Sequence, residues 1–364
     1  VLVAKKLIFG FDATFQSPAL SAHFADDESI SNILKLHILL GGRLGDDAAE
    51  LGSISDQLSF YYSGIGTYGG WARRLLNAAF SPAFLDERHI LDKADADLAR
   101  HYEPGDEIFV FGFSRGAAVA RMFVARMDKP VKLVGVFETV TSNMSAFGLD
   151  PESSKDSSFL VREAFRDCTL GKCDARAIHL LAIDERRVML KPTLFNQDSR
   201  VTEVWFAGAH GDVGGGYWFD GLSDVTLDFM CREVTASGLE LLPLDKIDYQ
   251  ALMPNEGEEL QEADYITRDD VAIHPIAYGV LHDARRALRV DDIALEPRVL
   301  GVTRENVFSA LPEDIPVIHH SVRERFLATP NYRPVPLRNQ HYRIMKPNGR
   351  VEKRIRWGIE DLRR

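Results

Sequence analysis

The chain has 364 residues, 45% of them hydrophobic and 27% charged, enough apolar content for one large or two ordinary globular domains. Its 43 basic and 54 acidic residues leave a formal charge of −11, which argues against nucleic acid as a partner and against broad adhesion to anionic lipid. Three cysteines build no disulfide framework, and Cys168 and Cys173 lack a second Cys/His pair for zinc, so neither metal nor cofactor is expected.

No stretch is long and apolar enough to span a bilayer, and the opening Val-Leu-Val-Ala-Lys-Lys has no signal-peptide pattern, so a soluble, cytoplasmic chain is expected. Leu7-Ile8-Phe9-Gly10-Phe11 reads as a buried strand that stops at Asp12-Ala13-Thr14. Asp12 is expected to cap and orient that loop. Aspartyl-phosphate chemistry is excluded, because Gly10 stands where a second carboxylate is needed. Residues 30–40 read as helix, Phe60-Tyr61-Tyr62 as a short strand, and 71–80 and 84–102 as helices. The glycines at 64–70 lack a following Lys-Ser/Thr and read as a plain loop.

Pro104-Gly105-Asp106 then turns the chain into Ile108-Phe109-Val110-Phe111, an apolar run with no polar interruption, as in a strand buried on both faces. It ends in Gly112-Phe113-Ser114-Arg115-Gly116 and passes at once into an alanine-rich helix. This is a nucleophile elbow in its strand–turn–helix setting, with Ser114 as the candidate nucleophile. A Cβ at either glycine would crowd strand against helix.

Two more buried strands, around 132–137 and 177–183, end at Glu138 and Asp184. The segment 141–172, rich in Ser and Asp, is a lid candidate. A strand over 201–209 delivers His210-Gly211-Asp212-Val213-Gly214-Gly215-Gly216-Tyr217. Helix is expected over 222–235, a solvated acidic run at 256–259, and a hairpin about Pro347-Asn348-Gly349. Strands separated by helices predict an α/β fold with a mostly parallel sheet and helices on both faces, plus helical and hairpin C-terminal additions; the elbow makes that sheet α/β-hydrolase-like. Residues 1–330 are expected to form the catalytic domain and 331–364 an extension.

A serine hydroxyl needs a base, and the base needs a group to hold its tautomer. In a hydrolase sheet the order is serine, acid, histidine, each at the carboxyl end of a strand. His210 fits as base, with His319 in reserve. Glu138 and Asp184 both satisfy the order for the acid, and Asp212 more naturally braces the loop of His210. The amide of Arg115 is the first expected oxyanion donor, and Ala13 or Thr14 supplies the second.

Phe11-Asp12-Ala13-Thr14, Gly64-Ile65-Gly66-Thr67, the 112–116 elbow, Gly135-Val136-Phe137-Glu138-Thr139-Val140, Ala182-Ile183-Asp184-Glu185-Arg186-Arg187 and 210–217 occur in one order. Together they resemble the Tle1-like catalytic domain of type VI secretion phospholipase effectors, over about residues 7–325. Ile318-His319-His320-Ser321-Val322 is similar to that family's late Ile-His-Pro-Ser-Val segment. The resemblance implies a lipase acting on phospholipid or another carboxylic ester, with Ser114, His210 and the residue at 138 as its triad. It also implies transient membrane contact, export without a signal peptide, and an immunity or secretion-apparatus partner. The chain departs from the family in having Glu138 for Asp and Ala13-Thr14-Phe15 for Gly-Thr-Trp. Two other readings are a hydrolase-fold interaction module with impaired catalysis and a soluble small-ester esterase.

Overall fold

The computed structural model describes residues 4–13, 29–44, 54–63, 84–141, 170, 175–252, 266–282, 295–305 and 307–364. The features expected at 64–80, 256–259 and nearly all of 141–172, with Thr14, Cys168 and Cys173, lie outside the described residues.

In chain order the elements are β1 (Lys6–Phe11), α1 (Asn32–Leu39), β2 (Gln57–Tyr62), α2 (Phe84–His101), β3 (Glu107–Phe113), α3 (Arg115–Arg126), β4 (Val131–Phe137), β5 (Arg176–Ala182) and β6 (Val201–Phe206). There follow α4 (His210–Gly214), α5 (Gly221–Ala236), α6 (Arg268–Val271), β7 (Val302–Arg304), β8 (Val307–Ser309), β9 (Val317–His319), α7 (His320–Ala328), β10 (His341–Met345) and β11 (Arg356–Trp357). Among the described residues nine strands form one sheet, in the order β11-β10-β9-β6-β5-β4-β3-β1-β2. Every neighbouring pair is parallel except β10–β11. The mostly parallel, α/β-hydrolase-like sheet expected from the sequence is the one observed.

The central strands are apolar along most of their length because both of their faces are covered. Along β3, Phe109, Phe111 and Phe113 join the core under α1 and α5, while Ile108 and Val110 join the core under α3. The same alternation runs through β1, with Ile8 on one face and Leu7, Phe9 and Phe11 on the other. Phe9 stacks on Phe60 at 4.9 Å and Phe11 on Tyr62 at 5.0 Å, and both meet Phe123 of α3. These ring pairs fix β1 between β2 and the helix that carries the elbow.

From β1 the chain goes outward to β2 and then returns to the far side of β1 as β3. The strand order therefore reverses between β1 and β3. In open α/β sheets, ligands bind at such a reversal, outside the carboxyl ends of the strands. Ser114 ends β3 at that point, and Asp12 and Ala13 end β1 beside it.

A third core gathers Trp205 of β6, Ile318 of β9, Tyr342 and Ile344 of β10, and Ile359 and Leu362 near the C-terminus. Residues 341–357 thus add two strands to the main sheet, with Lys346–Gly349 as the turn before Val351 bridges back to Met345. His319 ends β9 and His320 opens α7. β9 has only three residues, introduced by Pro316, too few to show a period in sequence.

Candidate active site

The elbow is as tight as its glycines require. A Cβ on Gly112 would lie 2.7 Å from the Cα of Ala117, and one on Gly116 would lie 2.3 Å from the carbonyl oxygen of Phe11 and 2.4 Å from that of Asp12. Both obstacles are backbone, so neither can swing aside. Ser114 between them has φ 55° and ψ −120°, a conformation that strains any residue with a side chain. Its N–H donates to Phe137 O at 3.0 Å, and its carbonyl accepts from Val140 N–H at 3.2 Å and Ala118 N–H at 3.3 Å. The serine is 6% exposed.

Phe113 and Phe137 are register partners on β3 and β4, so Ser114 and Glu138 leave the sheet side by side. Glu138 also has a positive φ, 50°, and is fully buried. Its Oε2 accepts from His210 Nδ1 at 3.0 Å, and its Oε1 accepts from the Ala182 amide at 2.7 Å. The turn behind it is pinned by His179, whose Nε2 accepts from Thr139 N–H at 3.2 Å and whose Nδ1 bonds Glu203 at 2.8 Å.

His210 opens α4 directly after β6. Its ring packs 4.8 Å from that of Phe113, the residue before the elbow serine. Gly214, one turn on, has room only for hydrogen, because a Cβ there would lie 2.0 Å from the Phe113 ring. The glycine-rich loop is therefore what lets the histidine helix settle against the elbow. The backbone of His210 is held as firmly as its ring, by an N–H bond to Glu185 Oε2 at 3.1 Å. Asp212 braces the same helix: its carboxylate accepts from the Ala209 amide at 2.8 Å and from His282 Nδ1 at 2.6 Å.

The other acid candidate is elsewhere engaged. Asp184 Oδ2 accepts from the Gly208 amide and from the Tyr332 hydroxyl, each at 2.8 Å, tying the ends of β5 and β6 together. Burial, only partly offset by those bonds, raises its carboxyl to about 6. His319 is likewise in a different setting, stacked 4.5 Å from Phe206, with Nδ1 bonded to Ser321 Oγ at 2.9 Å and accepting from the Ser321 amide as the cap of α7. Burial pushes its imidazole well below the usual range.

The 12–13 loop lies against the elbow through Gly116, which meets the carbonyl oxygens of Phe11 and Asp12. The Ala13 amide, however, donates to Asp12 Oδ1 at 2.7 Å, so in this structure it is loop support rather than an oxyanion donor. The other carboxylate oxygen of Asp12 accepts from the Ser31 and Tyr61 hydroxyls at 2.5 and 2.6 Å. Arg115 opens α3 immediately after the serine.

Sequence reasoning missed Arg298. From the segment that follows Pro297, this buried guanidinium forks onto Glu138, with Nη1 to Oε1 at 2.8 Å and Nη2 to Oε2 at 2.7 Å. The Glu138 carboxyl sits at about 2. Burial alone would raise it, and the charge of Arg298 with hydrogen bonds from His210 and Arg298 outweighs that.

A model of the T6SS phospholipase effector Tle1-like catalytic domain matches residues 5–129 and 123–233, well over half of the chain. The chain belongs to that family. Over 136 residues it is 33% identical to an uncharacterized protein of Saccharomyces cerevisiae, YEL023C, covering 34% of this chain and 17% of the yeast protein. An uncharacterized protein from Pseudomonas aeruginosa of known crystal structure superposes with a TM-score of 0.40 at 18% identity, over 67% of this chain and 48% of that one. A Tle1 effector bound to a VgrG spike gives 0.35 at 21% identity, over 59% and 51%. The chain thus spans about a sixth of the yeast relative and about half of each of these two solved chains. The stretch matched by the family model ends before Arg298.

Proposed function

We propose that this chain is a serine hydrolase of carboxylic esters, with Ser114 as nucleophile, His210 as general base and Glu138 as the acid that orients it. The observation that carries this reading is the Glu138–His210 hydrogen bond set beside a strained elbow serine. With Nδ1 committed to Glu138, Nε2 is the ring nitrogen left to take the Ser114 proton. Ser114 Oγ then bonds to the ester carbonyl carbon, and the carbonyl electron pair moves onto oxygen, opposite the amide of Arg115. A second donor belongs to the 12–14 loop, where the Ala13 amide would have to release Asp12. Collapse of the tetrahedral species expels the alcohol, which takes its proton from His210. Water repeats the sequence on the acyl-enzyme and frees the acid.

Family membership supports a lipid ester, and a phospholipid in particular, as the substrate, and a secretion-apparatus partner. Trp218 and Phe219, 47% and 59% exposed and close after His210 in the chain, support contact with an apolar substrate phase. The test is labelling by a fluorophosphonate together with hydrolysis of phospholipid vesicles and p-nitrophenyl esters. Wild type is expected to label at Ser114 and to hydrolyse both, vesicles faster, while Ser114→Ala does neither. A wild-type chain inert to probe and esters would remove the proposal, and one active only on the soluble esters would remove the lipid.

A further inference from the structure

Arg298 lies outside every motif the sequence offers, yet it makes four hydrogen bonds at the centre of the site. Besides the two to Glu138, Nη1 donates to Ala182 O at 2.7 Å and Nη2 to Leu190 O at 2.7 Å. All four Nη hydrogens are thereby used, which fixes the plane of the guanidinium and with it the plane of the Glu138 carboxylate. The two carbonyls belong to the end of β5 and the turn after it, so the fork is anchored on rigid backbone.

Neighbouring charges make the same point. Among the described residues, two carboxylates and two guanidiniums stand around His210: Glu138 with Arg298, and Glu185 with Arg187, whose Nε and Nη2 reach Glu185 at 2.9 and 2.8 Å. Asp212, bonded to His282, and Asp184, bonded to Tyr332, lie behind the helix and the strand ends. With a neutral imidazole the inner cluster is charge-balanced, and protonation of His210 makes it positive. Without Arg298 the balance reverses: a neutral imidazole would leave the cluster negative, and imidazolium would neutralise it. A buried Glu138 stripped of its guanidinium would also hold its own proton more tightly.

We propose that Arg298 is a positioning residue of the catalytic machinery, which fixes the plane of the Glu138 carboxylate and aims it at His210 Nδ1. This rests on the serine-hydrolase reading of the same site. It gives the segment after β6, beyond the family match, a part in the chemistry: the catalytic acid comes from β4 and its counter-ion from residue 298. Lysine cannot substitute fully, since an ammonium is a point charge with three donors and no fork.

The test is the pH dependence of the fluorophosphonate labelling rate at Ser114, and of kcat/KM on p-nitrophenyl butyrate, for wild type, Arg298→Gln and Arg298→Lys. Each protein is first checked by thermal melt. The acidic limb of Arg298→Gln should move up by about one pH unit, as for loss of a charge within hydrogen-bond reach. Its plateau should fall roughly 100-fold, as for a misplaced catalytic group. Arg298→Lys should return the limb to near its wild-type position while leaving the plateau roughly tenfold down. A merely structural brace would change how much protein folds and leave the limb where it was. A folded Arg298→Gln with an unmoved limb overturns the inference. Should that variant not fold, Arg298→Lys decides, its tenfold loss supporting the inference and a wild-type plateau overturning it. Wild type that takes no label at any pH removes the parent reading, whereas labelled wild type with an unmoved limb in Arg298→Gln removes only this one.

Discussion

Ser114 and Glu138 leave adjacent strands at the same level, and both do so with a positive φ, 55° and 50°. Each such residue with a Cβ costs of order 1–3 kcal/mol, and the cost persists only where the surroundings over-determine it. Here they do. Phe137 O, between the two, accepts the Ser114 amide, and Leu180 O accepts the Glu138 amide at 2.9 Å. The paired strain turns one side chain up out of the sheet and the other across it toward His210.

Relief of the strain at 114 should therefore stabilise the protein while removing its chemistry. Ser114→Gly accepts φ 55° without a Cβ clash, and part of that gain is returned as unfolded-chain entropy. A net increase of about 1 kcal/mol is expected, read as a rise in Tm or in the urea midpoint, with no labelling by fluorophosphonate. A variant no more stable than Ser114→Ala would mean that the elbow conformation is not strained.

Most of the sheet was legible in the sequence, because β1, β3, β4 and β5 are largely apolar runs that lead into Asp12, Ser114, Glu138 and, two residues beyond β5, Asp184. The elbow was legible for a steric reason, since its glycines meet only backbone. What the sequence hid is of two kinds. β9 is three residues long, too short to carry a pattern. Arg298 and His282 act through contacts with residues 70 or more positions away, 160 of them separating Arg298 from Glu138, and no local spacing encodes such a pair. The choice between Glu138 and Asp184 was open for the same reason, as both are carboxylates at strand ends and only tertiary partners tell them apart.

That choice can be tested by paired amide substitutions. Glu138→Gln keeps the shape but loses the charge that orients and stabilises the His210 ring, and kcat/KM should fall by about 10³–10⁴. Asp184→Asn touches only Gly208 and Tyr332, both of which an amide oxygen can serve. It should keep kcat/KM within about fivefold, in line with a substitution outside the reacting groups. The opposite ranking would transfer the acid role to Asp184.

The two carboxylates should also pull stability in opposite directions with pH. Glu138, held at about 2 against an ordinary 4.5, contributes stability that is present above pH 4.5 and lost as pH falls toward 2. Asp184, raised from 3.8 to about 6, binds its proton more tightly when folded, so its burial costs stability above pH 6 and the cost fades toward pH 4. Asp184→Asn should accordingly be more stable than wild type at pH 8, by about 3 kcal/mol, with most of that advantage gone at pH 4. Thermal melts across that range check the sign, and an advantage that grows on acidification would contradict it.

Glu138→Asp puts the family's usual residue into this chain, and the geometry predicts a loss. Glutamate here spans from the end of β4 to three separate partners: Ala182 N–H at 2.7 Å, the Arg298 fork at 2.7 and 2.8 Å, and His210 at 3.0 Å. Removing one methylene withdraws the carboxylate by about 1.5 Å, one carbon–carbon bond. Arg298 is tied to two backbone carbonyls and cannot follow, and His210 is tied through its own amide to Glu185. The shortened acid can then keep the guanidinium or the imidazole at bonding distance, not both. Kinetics should show kcat/KM down by about 100-fold, the scale for a catalytic group displaced by an ångström. Activity equal to or above wild type would mean that the backbone at 138 closes the gap, and that the glutamate is tolerated rather than required.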